Sequence, residues 1–97
     1  MSTYILLLNY TDQGIRTIKD SPKRVNAARE LARKYGAELK VFYLTMGAYD
    51  VVSVVEAPSD EAAAQFVLAL GSLGNVRSTT LKAFSETEYQ KIVGGLS

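Results

Sequence analysis

The chain has 97 residues, of which 47% are hydrophobic and 22% charged, so it is long enough for one globular domain and too apolar for a disordered one. Eleven Lys and Arg residues against ten Asp and Glu residues give a net charge of +1, which provides no overall field for a nucleic acid or a membrane surface. The absence of Cys and His excludes disulfides, Cys or His ligands for zinc, Cys nucleophiles and Ser-His-Asp triads. We therefore expect a single domain over residues 1–97, with no metal and no cofactor.

The first third of the chain predicts one strand and one long helix. The apolar run from Thr3 to Tyr10 predicts a strand, and Thr11-Asp12-Gln13-Gly14 predicts a turn after it. Residues 15–19 are long enough for one helical turn. Ser21-Pro22 predicts a helix start, because Ser can cap free N–H groups and Pro tolerates the first helical position. Apolar residues at helical spacing continue this helix to Gly36, which suits the position after a helix end.

The middle of the chain predicts an antiparallel hairpin. β-Branched and aromatic residues are dense from Glu38 to Thr45 and from Asp50 to Ala57, as is typical of strands. The connection between them, Met46-Gly47-Ala48-Tyr49, is too short for anything but a tight reversal of the chain.

The remaining sequence predicts a helix, a strand and a short last helix. Ser59 opens a helix that runs to about Leu73, and Val76 to Phe84 forms the fourth strand. Ser85-Glu86-Thr87-Glu88 matches a capping box, and Gly94-Gly95 ends the helix that it starts. The order β-α-β-β-α-β-α predicts an α+β fold: a ferredoxin-like βαββαβ sandwich with a short C-terminal helix and a four-stranded antiparallel sheet.

Neither face of this sheet is predicted to be polar. Strict alternation divides each strand between the two faces. The first strand has Tyr4, Leu6, Leu8 and Tyr10 on one face and Ile5, Leu7 and Asn9 on the other. The second strand has Leu39, Val41 and Tyr43 opposite Lys40, Phe42 and Leu44, and the third has Val51, Ser53 and Val55 opposite Val52, Val54 and Glu56. Two helices cover one face, and each large apolar residue left exposed on the other forfeits about 1.5–3 kcal/mol. A second copy of the chain is the favoured cover, giving a homodimer or a higher homo-oligomer; the alternative is the C-terminal helix folded across the open face.

From Met46 to Val52 the sequence resembles the signature of the GYD domain family, small bacterial and archaeal proteins named for a Gly-x-Tyr-Asp motif. Similar segments cover almost the whole length: Tyr4 to Gly14, Lys19 to Pro22 with Arg24, Phe42 to Thr45, Val55 to Pro58, Gly74 to Arg77, Thr79 to Leu81 and Ala83-Phe84. The resemblance implies a ferredoxin-like protomer that pairs as a dimeric α/β barrel, and it implies no agreed activity. The family often has an acidic or polar residue where this chain has Ala48, so an acid or base at that position is missing here.

Seven residues are candidates for ligand binding. They are Gly47, Tyr49 and Asp50 in the tight connection, and Asn9, Tyr43, Ser53 and Thr80 within the strands. In the connection, Gly permits close backbone approach while the other two offer a hydroxyl and a carboxylate, although turn chemistry alone explains all three. The strand residues suit a cavity with a few convergent polar groups, and cross-strand or water bonds would satisfy them equally well.

Two charge patterns limit the functional hypotheses. Asp50 and Glu56 lie on one face of a regular strand but roughly 20 Å apart, which is too far for a carboxylate dyad. Residues 11–36 carry seven Lys and Arg residues and three acids, a local excess that is typical of a solvated or interface face. No recognition-helix pair or aromatic RNA-binding signature accompanies it, so we expect no nucleic-acid partner.

The sequence favours an oligomeric small-molecule-binding module of the cytoplasm whose partners are itself and a small organic ligand. One alternative is a cofactor-independent enzyme acting on small apolar or aromatic compounds, by analogy with other dimeric α/β barrels. The other is a purely structural assembly module. No catalytic residue is assigned, and no membrane partner is expected because no stretch approaches 18 apolar residues.

Overall fold

A computed structural model describes residues 1–96 and follows the predicted order of elements. These are β1 Ser2–Tyr10, α1 Asp12–Arg16, a 3₁₀ turn Ile18–Asp20, α2 Ser21–Lys34, β2 Glu38–Leu44, β3 Val51–Ala57, α3 Asp60–Ser72, β4 Val76–Ala83 and α4 Glu86–Gly94. The strands form one antiparallel sheet in the order β2-β3-β1-β4, and α2 and α3 pack on one of its faces. This arrangement confirms the ferredoxin-like α+β fold. None of the described helices combines the length and apolar character needed to cross a bilayer.

The core lies between the sheet and the two long helices. Tyr4, Leu6 and Leu8 point to it from β1, as do Val51 and Val55 from β3, and Phe66 of α3 and Ala32 of α2 close it from the other side. Alternation along β1 and β3 is regular, so every second residue of each strand is buried. The helices therefore cover the face that carries Tyr4, Leu6 and Leu8.

Strict alternation is wrong for β2, because a β-bulge interrupts it. The pairing with β3 shifts between Leu39 and Val41, which leaves Lys40 as the extra residue. Leu39 and Phe42 consequently share the helix-covered face, and both pack against the core. Val41 and Tyr43 lie on the opposite face, beside Val54 and Val52 of β3.

The other face of the sheet, which we call the open face, carries two apolar rows across the strands. One row is Val41, Val54, Ile5 and Leu81, and the other is Tyr43, Val52, Leu7 and Thr79. Tyr43 is 64% exposed and Leu81 is 45% exposed. Helix α4 does not cover these rows: none of its described residues is buried, and it makes no extensive contact with any other element. The alternative in which the C-terminal helix closes the open face is therefore wrong for the single chain.

Two helix starts differ from the predicted ones. The first helical turn spans Asp12–Arg16 instead of residues 15–19, because the Thr11 hydroxyl accepts a hydrogen bond from the Gly14 N–H at 3.1 Å. Ser21 does not cap α2. The 3₁₀ turn runs directly into this helix and places Ser21 in the helical conformation, so Asp20 occupies the capping position without making a side-chain cap bond. The predicted caps Ser59 and Ser85 are present at α3 and α4.

Helix α3 is attached to the sheet by a polar cluster at its first turn. Tyr4 donates its hydroxyl to the Asp60 carboxylate, and Lys82 donates to the same carboxylate at 3.0 Å. The Tyr4 hydroxyl, followed by the Lys82 ammonium, holds the pKa of Asp60 below its ordinary value. The same hydrogen bonds to Asp60 raise the pKa of Tyr4 and the pKa of Lys82.

These shifts predict how stability depends on pH. Because the pKa of Asp60 is lower in the folded chain, its contribution is complete above its unfolded pKa of about 4 and is lost as the pH falls. The Asp60→Asn variant should therefore lose stability less steeply than the native chain when unfolding by urea is measured from pH 6 down to pH 2. Asp12→Asn, at an exposed acid on α1, makes the same change in charge and serves as the control. Parallel acid profiles for the native chain and Asp60→Asn would contradict the assignment.

Candidate functional site

A cavity of about 110 Å³ lies between the sheet and helices α2 and α3. Most of its lining is apolar and includes Leu6, Leu8, Leu39, Phe42, Phe66 and Leu70. Its uncharged polar residues are Tyr10 in β1, Ser53 in β3, Ser21 at the start of α2 and Asn75 after α3, and Arg24 is its charged residue. An apolar space with a few polar groups is the usual form of a small-molecule site.

Ser53 is the buried polar group at the centre of this lining. The residue is only 1% exposed, and its hydroxyl has no hydrogen-bond partner among the described residues. Its neighbours across the sheet, Leu6 and Phe42, have side chains that offer no acceptor or donor. A buried hydroxyl without a partner costs about 1–3 kcal/mol, and native proteins contain few of them. A molecule in the cavity could satisfy this hydroxyl after rotation of the Ser53 side chain, because the oxygen has almost no accessible surface in its present position.

Arg24 belongs to the same lining, and hydrogen bonds fix its positively charged guanidinium in place. Its Nη1 donates to the Thr17 carbonyl at 3.0 Å and to the Thr17 hydroxyl at 2.8 Å, and its Nη2 donates to the Gly14 carbonyl at 3.0 Å. All three acceptors are neutral. Within residues 1–96 no carboxylate lies within salt-bridge distance of Arg24. The guanidinium is thus positioned by hydrogen bonds but not neutralised.

The acceptors of Arg24 belong to a tightly packed corner. The Thr11 N–H donates to the Asn75 carbonyl at 3.1 Å, and the Thr11 hydroxyl donates to the Gly74 carbonyl at 2.5 Å. Gly14 is buried against the same turn, where a Cβ on this residue would lie 2.0 Å from the Asn75 carbonyl oxygen. Only glycine fits there, which explains the Gly of the turn after β1. The corner brings α1, Arg24 and Asn75 to one end of the cavity.

The hairpin residues Gly47, Tyr49 and Asp50 lie outside the cavity lining. The Asp50 carboxylate accepts from the Tyr10 N–H at 2.9 Å, and its own N–H donates to the Leu8 carbonyl at 2.9 Å. The Tyr49 carbonyl accepts from the Thr45 hydroxyl at 2.6 Å. Gly47 has a φ of 141°, which other residues rarely adopt. These contacts attach the hairpin to the end of β1.

The structure does not bring the seven candidate residues together. Ser53 lines the cavity, Thr80 is exposed on the same face at the edge strand β4, Asn9 and Tyr43 lie on the open face, and Gly47, Tyr49 and Asp50 form the hairpin end. The reason is alternation, because polar positions chosen along different strands point to opposite sides of the sheet. A ligand contact at any of the seven stays a prediction.

Sequence reasoning missed Ser21, Arg24 and Asn75 as lining residues. Arg24 belongs to a helix with charges on most of its exposed faces, and the family resemblance, which includes Arg24 but not Lys23, assigns it no role. Its hydrogen bonds to the turn after β1 direct its side chain toward the corner, and those depend on tertiary packing. Within residues 1–96 no group of three or more Asp, Glu, His or Cys side chains is arranged to hold a metal ion.

Comparison with known protein families and sequences gives two matches. The family model described as the GYD domain matches residues 4–93 of this chain. The chain is also similar to the glutamine synthetase and cystathionine beta-lyase binding protein of Thermus thermophilus. Identity is 38% over 84 residues, which are 86% of this chain and 88% of that protein.

Comparison with solved structures gives matches to the same fold. A protein from Thermus thermophilus is 26% identical, with a TM-score of 0.57, over 88% of this chain and 95% of that one. A feast or famine regulatory protein from M. tuberculosis, solved in complex with L-methionine, has a TM-score of 0.67 at 16% identity. That match covers 88% of this chain and 51% of the regulator, so the chain spans about half of its length.

The unpartnered hydroxyl predicts an unusual result for Ser53→Ala. Alanine lacks the hydroxyl, so the substitution eliminates the cost of burying that group without breaking a hydrogen bond. The free energy of unfolding should therefore stay unchanged or rise by about 1 kcal/mol. Ser59→Ala is the matched control: the Ser59 hydroxyl caps α3 by accepting from the Ala62 N–H at 3.1 Å, and its loss should lower stability by about 1 kcal/mol. Urea unfolding measures both. Equal destabilisation by the two substitutions would show that Ser53 has a partner in the folded chain.

Proposed function

This chain belongs to the GYD domain family, and we propose that it is a homo-oligomeric small-molecule-binding module whose ligand occupies the cavity beneath α2 and α3. The observation that carries the proposal is the Ser53 hydroxyl, which is buried in the cavity lining without a partner. A ligand that reaches this hydroxyl would supply the missing hydrogen bond, and the apolar lining would bind the rest of its body.

The size of the cavity limits the ligand. Engineered apolar cavities of about 150 Å³ bind benzene, so about 110 Å³ suits an apolar body of roughly five carbons. Burial of that body provides the affinity at roughly 25 cal/mol per Å². A hydrogen bond to Ser53 provides orientation, since the residues beside it in the sheet are apolar.

The lining favours binding over general acid–base catalysis. Its described residues include no carboxylate and no lysine, a guanidinium offers only donors, and the one phenol is that of Tyr10. An enzyme on small apolar compounds would need an activated acid or base at the cavity. The enzyme hypothesis therefore has weaker support than ligand binding.

The open face supports the homo-oligomeric part of the proposal. Its two rows are uncovered in the single chain and apolar except for Thr79 and the Tyr43 hydroxyl, and two of its charged groups lie at opposite ends of the strands. Glu56 lies at one end, opposite Thr3, and Arg77 lies at the other end, opposite Asn9. Among residues 1–96 neither charge has a salt-bridge partner, whereas Glu38 beside Glu56 is paired with Lys40 at 3.6 Å.

This charge distribution makes the open face complementary to itself in one orientation. Thr3 and Asn9 are six residues apart on β1, so the two ends are separated by roughly 20 Å. If two copies pair face to face about an axis across the strands, Glu56 of each copy lies at the same end of the strands as Arg77 of the other, two strands away. An axis along the strands would place like charges together, which costs several kcal/mol at an interface. The proposed dimer therefore has its strands running in opposite directions.

A second candidate function is binding to other proteins. It is favoured by the 38% identity with a relative whose name states that it binds glutamine synthetase and cystathionine beta-lyase. Helix α4 provides a surface for such contact, because Tyr89, Ile92 and Val93 are about half exposed and lie on one side of the helix. The partner of this chain would then be an enzyme, as the name of that relative states for its own partners.

The ligand proposal is tested with 2-pentanone, whose five carbons fit the cavity and whose carbonyl can accept from Ser53. We expect saturable binding, measured by changes in amide chemical shift around β3 and α3. Ser53→Ala should weaken it about fivefold or more, because the hydrogen bond is lost. Ser78→Ala removes an exposed hydroxyl from the same face of the sheet outside the cavity and should leave the affinity unchanged. Equal affinity in all three proteins, or no binding to any of them, would contradict the proposal.

The dimer proposal is tested by exchanging charges. Arg77→Glu and Glu56→Arg should each place like charges together at the interface and shift the particle toward the mass of a single chain in light scattering at micromolar concentration. The double variant restores opposite charges and should return to twice the single-chain mass. A native protein with single-chain mass would overturn the dimer itself. Failure of the double variant to recover would overturn its orientation.

A further inference from the structure

We infer that the ligand of the cavity is a small monocarboxylate, with its anion at Arg24 and the first turn of α2 and a hydrogen-bond acceptor on its short apolar chain directed to Ser53. The inference rests on the proposed function and adds the chemical class of the ligand. It follows from two of the polar groups in a mostly apolar lining, Arg24 and Ser53.

The first polar group is Arg24. The residue is half-buried and its guanidinium is bonded to three neutral oxygens, so the surrounding chain holds it in place without neutralising it. Three of its five N–H groups are used in these bonds, which leaves two donors for a ligand. A partly desolvated cation with free donors binds a carboxylate much better than a neutral group.

The start of α2 adds to the positive electrostatic potential around Arg24. Ser21 lies in the first turn and lines the cavity with Arg24. No side chain caps this 14-residue helix and its first turn contains no acid, so the positive end of its dipole is not neutralised there, although Ser21 donates its N–H to the Ile18 carbonyl and Pro22 has no N–H. Asp20 at the preceding position is exposed and does not line the cavity. Ser21 and Arg24 thus form an anion-binding end.

The second polar group is Ser53, which is deeply buried on the sheet side of the cavity. Its hydroxyl needs a partner of its own, so the ligand should carry an acceptor on its apolar chain in addition to the carboxylate. A cavity of about 110 Å³ excludes nucleotides and other large anions. The described lining contains no carboxylate to hold an ammonium group, so amino acids are disfavoured compared with oxo or hydroxy acids.

The probe is 4-oxopentanoate, and 2-hexanone is its neutral counterpart with an ethyl group in place of the carboxylate. Both carry the same methyl ketone for Ser53. We expect the acid to bind about tenfold more tightly than the ketone in low salt, measured by titration of amide chemical shifts. The acid should also bind more tightly than L-norvaline, an amino acid with the same number of carbons.

Substitutions at neighbouring positions of α2 assign the anion site. Arg24→Gln keeps an N–H donor and removes the charge, so it should abolish the tenfold preference for the acid. Arg24→Lys should retain most of the preference, which separates the effect of charge from any loosening of the corner. Lys23→Gln is the matched control: it removes an exposed charge beside Arg24 that does not line the cavity, and the preference should persist.

The possible outcomes separate the two proposals. If 2-hexanone binds and the acid binds no better, or if Arg24→Gln keeps the preference, the carboxylate inference is overturned while the small-molecule function stands. Tighter binding of L-norvaline than of 4-oxopentanoate also overturns it. If neither the acid nor 2-hexanone binds, both proposals fail. A preference for the acid that depends on the charge at position 24 supports the assignment.

Discussion

The central constraint on this molecule is that two helices can cover only one face of a four-stranded sheet. Both faces carry apolar residues, so the chain buries Leu6 and Val55 beneath its own helices while Ile5 and Val54 stay accessible on the open face. The hydrophobic effect acts on both faces equally. An internal core and an uncovered apolar surface are therefore two consequences of one sequence pattern, and the proposed ligand site and the proposed dimer interface lie on opposite faces of the sheet.

The β-bulge at Lys40 shows how a local irregularity changes the core. Without the shift, Leu39 and Phe42 would point to opposite faces; with it, both contribute to the core, and Val41 and Tyr43 extend the open face. Bulged strands bend and twist more strongly than regular ones. Phe42 also lines the cavity, so the bulge helps to form both surfaces used in the proposed function.

The corner made by Thr11, Gly14 and Asn75 connects the cavity to the rest of the fold. It joins the turn after β1 to the turn before β4, and the carbonyl of Gly14 accepts one of the hydrogen bonds that hold Arg24. At the turn between β2 and β3, the Asp50 carboxylate accepts a hydrogen bond from the Tyr10 N–H at the end of β1. The GYD signature thus acts structurally through Asp50, and the charge that lines the cavity comes from α2.

The sequence by itself determined the order of elements, the antiparallel hairpin, the caps of α3 and α4 and the apolar character of both sheet faces, because these depend on neighbours close in the chain. Only the tertiary structure decided the pairing shift in β2, the missing cap of α2, and the meeting of Ser53 and Arg24 in one cavity lining. These two residues are far apart in the chain and come from a strand and a helix, so neither local propensity nor periodicity relates them. The isolation of the Ser53 hydroxyl depends on Leu6 and Phe42, which reach it from other strands only when the sheet has formed.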